Sequence, residues 1–139
     1  MYQKSVLGYE EASKAIDAVL KAAAKQEGLP VAVAVVDEVG SLIAYARADY
    51  ANVLTTYSPI NKAYTAARTG LDTATFRDAV KGQEWDISWF GDDRMMLLPG
   101  GIPVFNSDGA IVGAIGVGGR ISPDEDQELA KVGLEALGL

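Results

Sequence analysis

Five groups of residues in this chain have side chains or backbone able to do chemistry. The first is Arg47-Ala48-Asp49, where a guanidinium beside a carboxylate is either a surface salt bridge or a bidentate clamp for a carboxylate ligand. The second is the segment around Lys62: Lys62, Thr65 and Thr69 fall on one helical face, and Tyr64 and Arg68 share a neighbouring one. That pattern describes either a solvated helix face or a lysine whose stem crosses a pocket wall, where burial would tune its ammonium toward neutral pH. The third is Leu98-Pro99-Gly100-Gly101-Ile102-Pro103, which is either a turn into a hairpin or an amide nest in which the N–H groups of Gly100 and Gly101 hold a carboxylate. The fourth is Trp85, Trp89 and Phe90 with Met95 and Met96, a set that forms core, a subunit interface or a stacking surface for a flat ligand. The fifth is Gly113, Gly116, Gly118 and Gly119, which mark a strand that a packed helix, another subunit or a ligand approaches closely.

Composition excludes a good deal. Among 139 residues there is no Cys and no His. Disulfides, thiolate catalysis, zinc–thiolate and iron–sulfur sites are therefore excluded, as is any Ser-His-Asp triad. No metal site is expected. The net charge of -7 repels phosphate backbones, so nucleic acid is not an expected partner. The glycines before the last helix do not make a phosphate cradle, because Asp124-Glu125-Asp126 already fills the positive end of that helix. No apolar run reaches the length of about 18 residues that a membrane span needs. The N-terminal stretch lacks an apolar signal core, and a cytoplasmic location is the expectation.

The elements that must position these groups follow from periodicity. Residues 8–27 form an amphipathic helix, with Ala12, Ala15, Ile16, Val19, Leu20 and Ala23 at helical spacing. The run 31–36 is a strand buried on both faces and pairs as a hairpin with 42–48. A helix starts at Pro59, capped by Ser58, and ends at Gly70. A short helix covers 74–81, capped by Asp72 or Thr73, and residues 83–94 are irregular. Strands are expected at 95–98, 102–106 and 110–117, the last two joined by Ser107-Asp108-Gly109. The final helix, 123–137, has the capping box Ser122…Glu125 and turns Leu129, Val132, Ala136 and Leu137 inward. The fold class is α+β, a single domain over 1–139 with a five-stranded antiparallel sheet and helices on its faces.

Several of these segments together resemble the GlcG/HbpS-like haem-binding family, from about residue 8 to 137. The resemblance lies in the Val-Ala-Val-Val-Asp run and its glycine (33–40), Arg47-Ala48-Asp49, Lys62-Ala63-Tyr64-Thr65-Ala66-Ala67, Gly100-Gly101-Ile102-Pro103, and Gly113 through Gly119 followed by Asp126. It implies a profilin-like fold, homo-oligomers, and a pocket that in some members holds haem or handles related tetrapyrroles. Some members resemble small enzymes acting on organic acids. With no His or Cys, an iron ligand would have to be Met, Tyr or Lys.

Three functions follow as expectations. The first is a small-molecule binding protein with haem or another tetrapyrrole as the implied ligand, Trp89 and Met95 being among its contacts. The second is a metal-free enzyme, with Arg47 and Lys62 receiving a carboxylated substrate and Asp49, Tyr64 or Lys62 moving the proton; Arg68, Gly100 and Gly101 are further candidate ligand contacts. The third is a structural oligomer.

Overall fold

The computed structural model describes residues 1–139. Helix α1 (Tyr9–Ala24) precedes the hairpin β1 (Ala32–Val36) and β2 (Leu42–Arg47). A 3-10 turn at Val53–Thr56 leads into α2 (Ser58–Thr69) and then α3 (Thr73–Gly82). A second 3-10 turn, Ile87–Phe90, comes before the hairpin β3 (Gly101–Phe105) and β4 (Ile111–Gly118), and α4 (Pro123–Leu137) closes the chain.

The sheet has four antiparallel strands in the order β2-β1-β4-β3. The expected fifth strand at 95–98 does not form. Its backbone is committed elsewhere: the Met96 N–H donates to Thr65 Oγ1 at 2.9 Å, and the Met95 N–H to the Asp92 carbonyl. That stretch is therefore tied to α2, not to a sheet edge.

The two faces of the sheet are built differently. Val31, Val33, Val35, Ile115 and Val117 point to one face and pack with Ala15, Val19 and Leu129 from α1 and α4. On the other face Val36 and Ala114 meet Ala63, Ala66 and Ala67 of α2. Gly116 lies on this second face, where a Cβ would run into the Pro59 carbonyl and the backbone nitrogen of Ala63. The glycine-rich strand thus serves helix-on-sheet packing, bringing the α2 backbone down onto β4.

The expected helix positions hold, but three caps differ. Tyr57 occupies the cap of α2, and Ser58 is its first helical residue. The Ser122 side chain makes no capping bond; only its carbonyl accepts from Glu125, at 3.1 Å. Asp72 is the N-cap of α3 and its carbonyl accepts from the Phe76 N–H at 2.9 Å, but its carboxylate makes no capping bond and accepts instead from Gln127 Nε2 at 3.0 Å. In α4 the inward face is Asp126, Gln127, Leu129, Ala130 and Gly133, while Val132, Ala136 and Leu137 are only partly buried.

Candidate functional site

Helix α2 carries the lysine that organises the site. Lys62 is 2% exposed, although its helix neighbours include the polar Asn61 and Tyr64. Its Nζ donates to the Val117 carbonyl at 2.9 Å and to Asp126 Oδ2 at 3.1 Å. Asp126 Oδ1 accepts from the Arg120 N–H at 3.1 Å. The third residue of the acidic start of α4 has therefore turned into the core. Burial lowers the Lys62 pKa, with Asp126 opposing through its charge and hydrogen bond. Burial raises the Asp126 pKa, opposed by Lys62 and then the Arg120 amide.

Two more buried polar groups complete this layer. Gln127 Oε1 accepts from the Gly100 N–H at 2.9 Å, and Thr73 Oγ1 accepts from the Gly101 N–H at 3.0 Å. Both amides expected to form a carboxylate nest already have protein partners. The Arg120 guanidinium donates to the carbonyls of Leu29, at 2.7 Å, and Ala23, at 3.2 Å, fastening the end of β4 to the α1–β1 connection.

In front of Lys62 lies a cleft of about 640 Å³. Val53, Leu54, Tyr57, Met96, Leu98 and Ile121 supply its larger apolar surfaces, and Lys62 and Arg120 are the only cations in its lining. Both cations are already engaged, as described, so the cleft presents large apolar side chains, one phenol and one thioether, together with the neutral polar groups of Asn52, Thr55, Ser58 and Asn61.

The other expected site residues are dispersed. Asp49 is exposed and lines a different cleft, of about 320 Å³, with Gly28, Pro30 and Arg120. Arg47 is exposed at the end of β2, and the ion pairs of the chain include neither it nor Asp49. Tyr64 donates its hydroxyl to Asp92 Oδ2 at 2.6 Å, with the Arg94 guanidinium 3.9 Å above its ring. Arg68 lies 5.0 Å from the same ring and donates to the Val39 carbonyl at 3.1 Å. The hydrogen bond to Asp92 raises the Tyr64 pKa and, in return, lowers that of Asp92. Trp89 is exposed, outside the core, and Met95 is partly buried. Lys62, Asp49 and Tyr64 are therefore in three separate settings.

Sequence reasoning missed Asp126, Arg120, Gln127 and Tyr57. Buried N–H groups at Gly100 and Gly101 require acceptors, but nothing local names Gln127 as one of them.

A four-stranded antiparallel sheet, with α2 lowered onto a glycine-rich strand and a cleft beside a buried lysine, defines a small α+β domain. The family model for the haem degrading protein HbpS-like family matches residues 7–135, and the chain belongs to that family. An uncharacterized 15.0 kDa protein in the dhaT-dhaS intergenic region of Citrobacter freundii is 31% identical over 126 residues, 89% of this chain and 87% of that protein. The crystal structure of a double mutant of Streptomyces reticuli HbpS superposes with a TM-score of 0.90 at 32% identity, covering 100% of this chain and 92% of that one. The crystal structure of a PduOC:heme complex shares the fold, with a TM-score of 0.84 at 22% identity over 94% of each chain. No helix is long and apolar enough to cross a membrane.

Proposed function

We propose that this protein binds a small, flat, largely apolar molecule in the cleft in front of Lys62, and that haem or another tetrapyrrole is its ligand class. The observation that carries this reading is the cleft itself. Its volume of about 640 Å³ falls within the usual range for small-molecule sites, and its large apolar side chains are joined by the polar Asn52, Thr55, Ser58 and Asn61. Membership of the HbpS-like family and the fold shared with a haem-complexed protein support it.

The residues present fit such a group through an unusual donor set. The Tyr57 phenol and the Met96 thioether are the cleft atoms able to ligate haem iron. When bound, haem would supply a redox-active iron. Lys62 and Arg120 are committed to internal partners, so the lining offers no free cation to a ligand's carboxylates. Titration of the purified protein with haemin tests the reading. A saturable Soret shift that weakens in both Tyr57→Phe and Met96→Ala is expected; a shift indifferent to both, or none, refutes it.

One observation favours a second reading, acid/base chemistry on a small carboxylated substrate: burial lowers the pKa of Lys62 at the wall of the cleft. Amine labelling of the native protein that modifies Lys62 ahead of the exposed lysines would support it. Labelling that spares Lys62 while the surface lysines react would end it.

The cleft rim also supports assembly of the protein with copies of itself. Val53, Leu54, Tyr57 and Ile121 are large apolar residues left open to solvent. Sedimentation velocity showing only a monomer at micromolar concentration would contradict that assembly.

A further inference from the structure

Residues 83–93, after α3, carry a second feature that shares no lining residue with the cleft. Trp85, Trp89 and Phe90 alone line a pocket of about 200 Å³. They are not core residues: Trp85 is 44%, Trp89 70% and Phe90 42% exposed. Yet the walls are held in place. Phe90 packs edge-on against the buried Phe76, centroids 5.4 Å apart, and Trp85 meets Phe90 at 5.9 Å with their planes 72° apart. The Trp85 backbone N–H donates to the Val80 carbonyl at 3.0 Å, which ties the main chain that carries this ring to the end of α3. Asp86 fixes the 3-10 turn that presents Trp89 and Phe90, accepting from the Ser88 N–H at 2.9 Å and the Ser88 Oγ at 2.7 Å.

The surrounding charge has one sign. From Gln83 to Asp93 the chain contains Glu84, Asp86, Asp92 and Asp93 and no Lys or Arg. Asp92 is shared with Tyr64 and Arg68, but Glu84, Asp86 and Asp93 make no ion pair. The carbonyl end of α3, carrying partial negative charge, adjoins Trp85. Lys81, in the last turn of α3, and Arg94, stacked on Tyr64, are the nearest cations in sequence on either side.

Three aromatic walls, two of them at 72° to each other, in an acidic segment at the negative end of a helix, suit an organic cation better than a neutral or anionic molecule. Ring faces attract a cation through their quadrupoles, and quaternary ammonium groups are held in cages of this kind. We propose that Trp85, Trp89 and Phe90 form an aromatic cage for a small soluble quaternary ammonium or alkylated ammonium compound. This site is independent of the cleft and of any ligand there.

The chain contains two Trp, and both line this pocket, so intrinsic fluorescence reports on it without a label. The probes are choline and its neutral isostere 3,3-dimethylbutan-1-ol, at constant ionic strength, with ligand-observed saturation-transfer NMR as the second readout. Choline should produce a saturable response, and the isostere should bind at least about fivefold more weakly, the ratio expected from a cation–π contribution. Trp89→Leu, which keeps Trp85 as reporter and changes an exposed side chain, should abolish saturation while leaving the melting temperature near that of wild type. Equal affinity for the two probes, no binding of choline by either readout, or unchanged binding in Trp89→Leu would overturn the cage. Co-sedimentation with phosphatidylcholine vesicles would reassign it to a lipid headgroup and overturn the soluble ligand.

Discussion

Lys62 Nζ lies 3.1 Å from Asp126 Oδ2, and both side chains are 3% exposed. The pair joins the helix that covers β4 to the helix on the opposite face of the sheet, in the buried polar layer that also holds Gln127 and Thr73. Removing one partner leaves an uncompensated buried charge. Lys62→Met and Asp126→Leu should each therefore cost about 3–5 kcal/mol, whereas the double variant should recover most of that loss. Urea melts of the three proteins decide it; additive losses in the double variant would show that the two ions do not act as a pair.

The same pair fixes a pH dependence. Burial puts the folded pKa of Lys62 below the ordinary 10.5, so the unfolded chain takes up that proton more readily. This cost to the fold appears as pH falls below 10.5. Burial puts the folded pKa of Asp126 above the ordinary 3.8, so its cost appears as pH rises above 3.8. The two costs overlap between the two folded pKa values. Relative to the Lys62→Met/Asp126→Leu double variant, the wild type should be at its worst in that middle window and should gain stability toward both extremes. A difference in stability that is flat with pH would contradict this.

Gly116 and Gly82 form a matched pair of glycine tests. A Cβ at Gly116 meets the backbone of Pro59 and Ala63, which cannot move without lifting α2 off β4. Gly116→Ala should cost about 3 kcal/mol, the upper end of ordinary overpacking. Gly82 ends α3 with nothing within 4 Å of a Cβ, and its φ is not positive. Gly82→Ala should therefore stabilise by about 0.4–1 kcal/mol through the unfolded chain. Thermal melts of opposite sign are the expected result.

Gln127 bridges two elements because its amide has both an acceptor and a donor: Oε1 takes the Gly100 N–H and Nε2 gives to Asp72 Oδ2. In Gln127→Glu the donor becomes a second carboxylate facing Asp72, whose pKa burial already raises. The variant should lose about 1–3 kcal/mol at neutral pH. Like charges raise the folded pKa of the pair, so this penalty is present above that pKa and fades as the pH falls through it. Melting curves across the acid range should converge on wild type.

The sheet and helices could be read from sequence because their signals are local. The unbroken valine-rich run of β1, the helical spacing in α1 and the Gly-Pro stop between them each report burial on a known period. The stretch Met95–Leu98 was misread because its apolar residues match a strand, whereas its backbone donor is taken by a side chain 31 residues earlier in the chain, Thr65. Tertiary partners of that kind have no local trace. The site shows the same division. Lys62 stands out by type within its helix, but its partner Asp126 is 64 residues away and, in sequence, looks like one of three carboxylates at a helix start. Tyr57 sits at a cap position that Ser58 seemed to fill.

Tyr64 and Asp92 each perturb the other in a measurable way. The Tyr64 hydroxyl donates at 2.6 Å to Asp92 Oδ2, and this hydrogen bond is the first cause of the low Asp92 pKa, ahead of the Arg94 amide and the Arg68 and Arg94 charges. A carboxylate whose folded pKa is depressed favours the fold above its ordinary 3.8, and this contribution is lost as pH falls through the folded value. Tyr64→Phe removes the donor and leaves Arg68 and Arg94 in place. The Asp92 carboxyl should then titrate closer to its ordinary value, and the acid loss that it causes should be smaller, still starting near 3.8 but complete at a higher pH. Because the pair is near the surface, the loss at neutral pH should stay within about 1 kcal/mol. Carbon-detected NMR titration of Asp92 in both proteins checks the shift; an unchanged pKa would assign the depression to the arginines and leave Tyr64 a packing residue beneath Gly40.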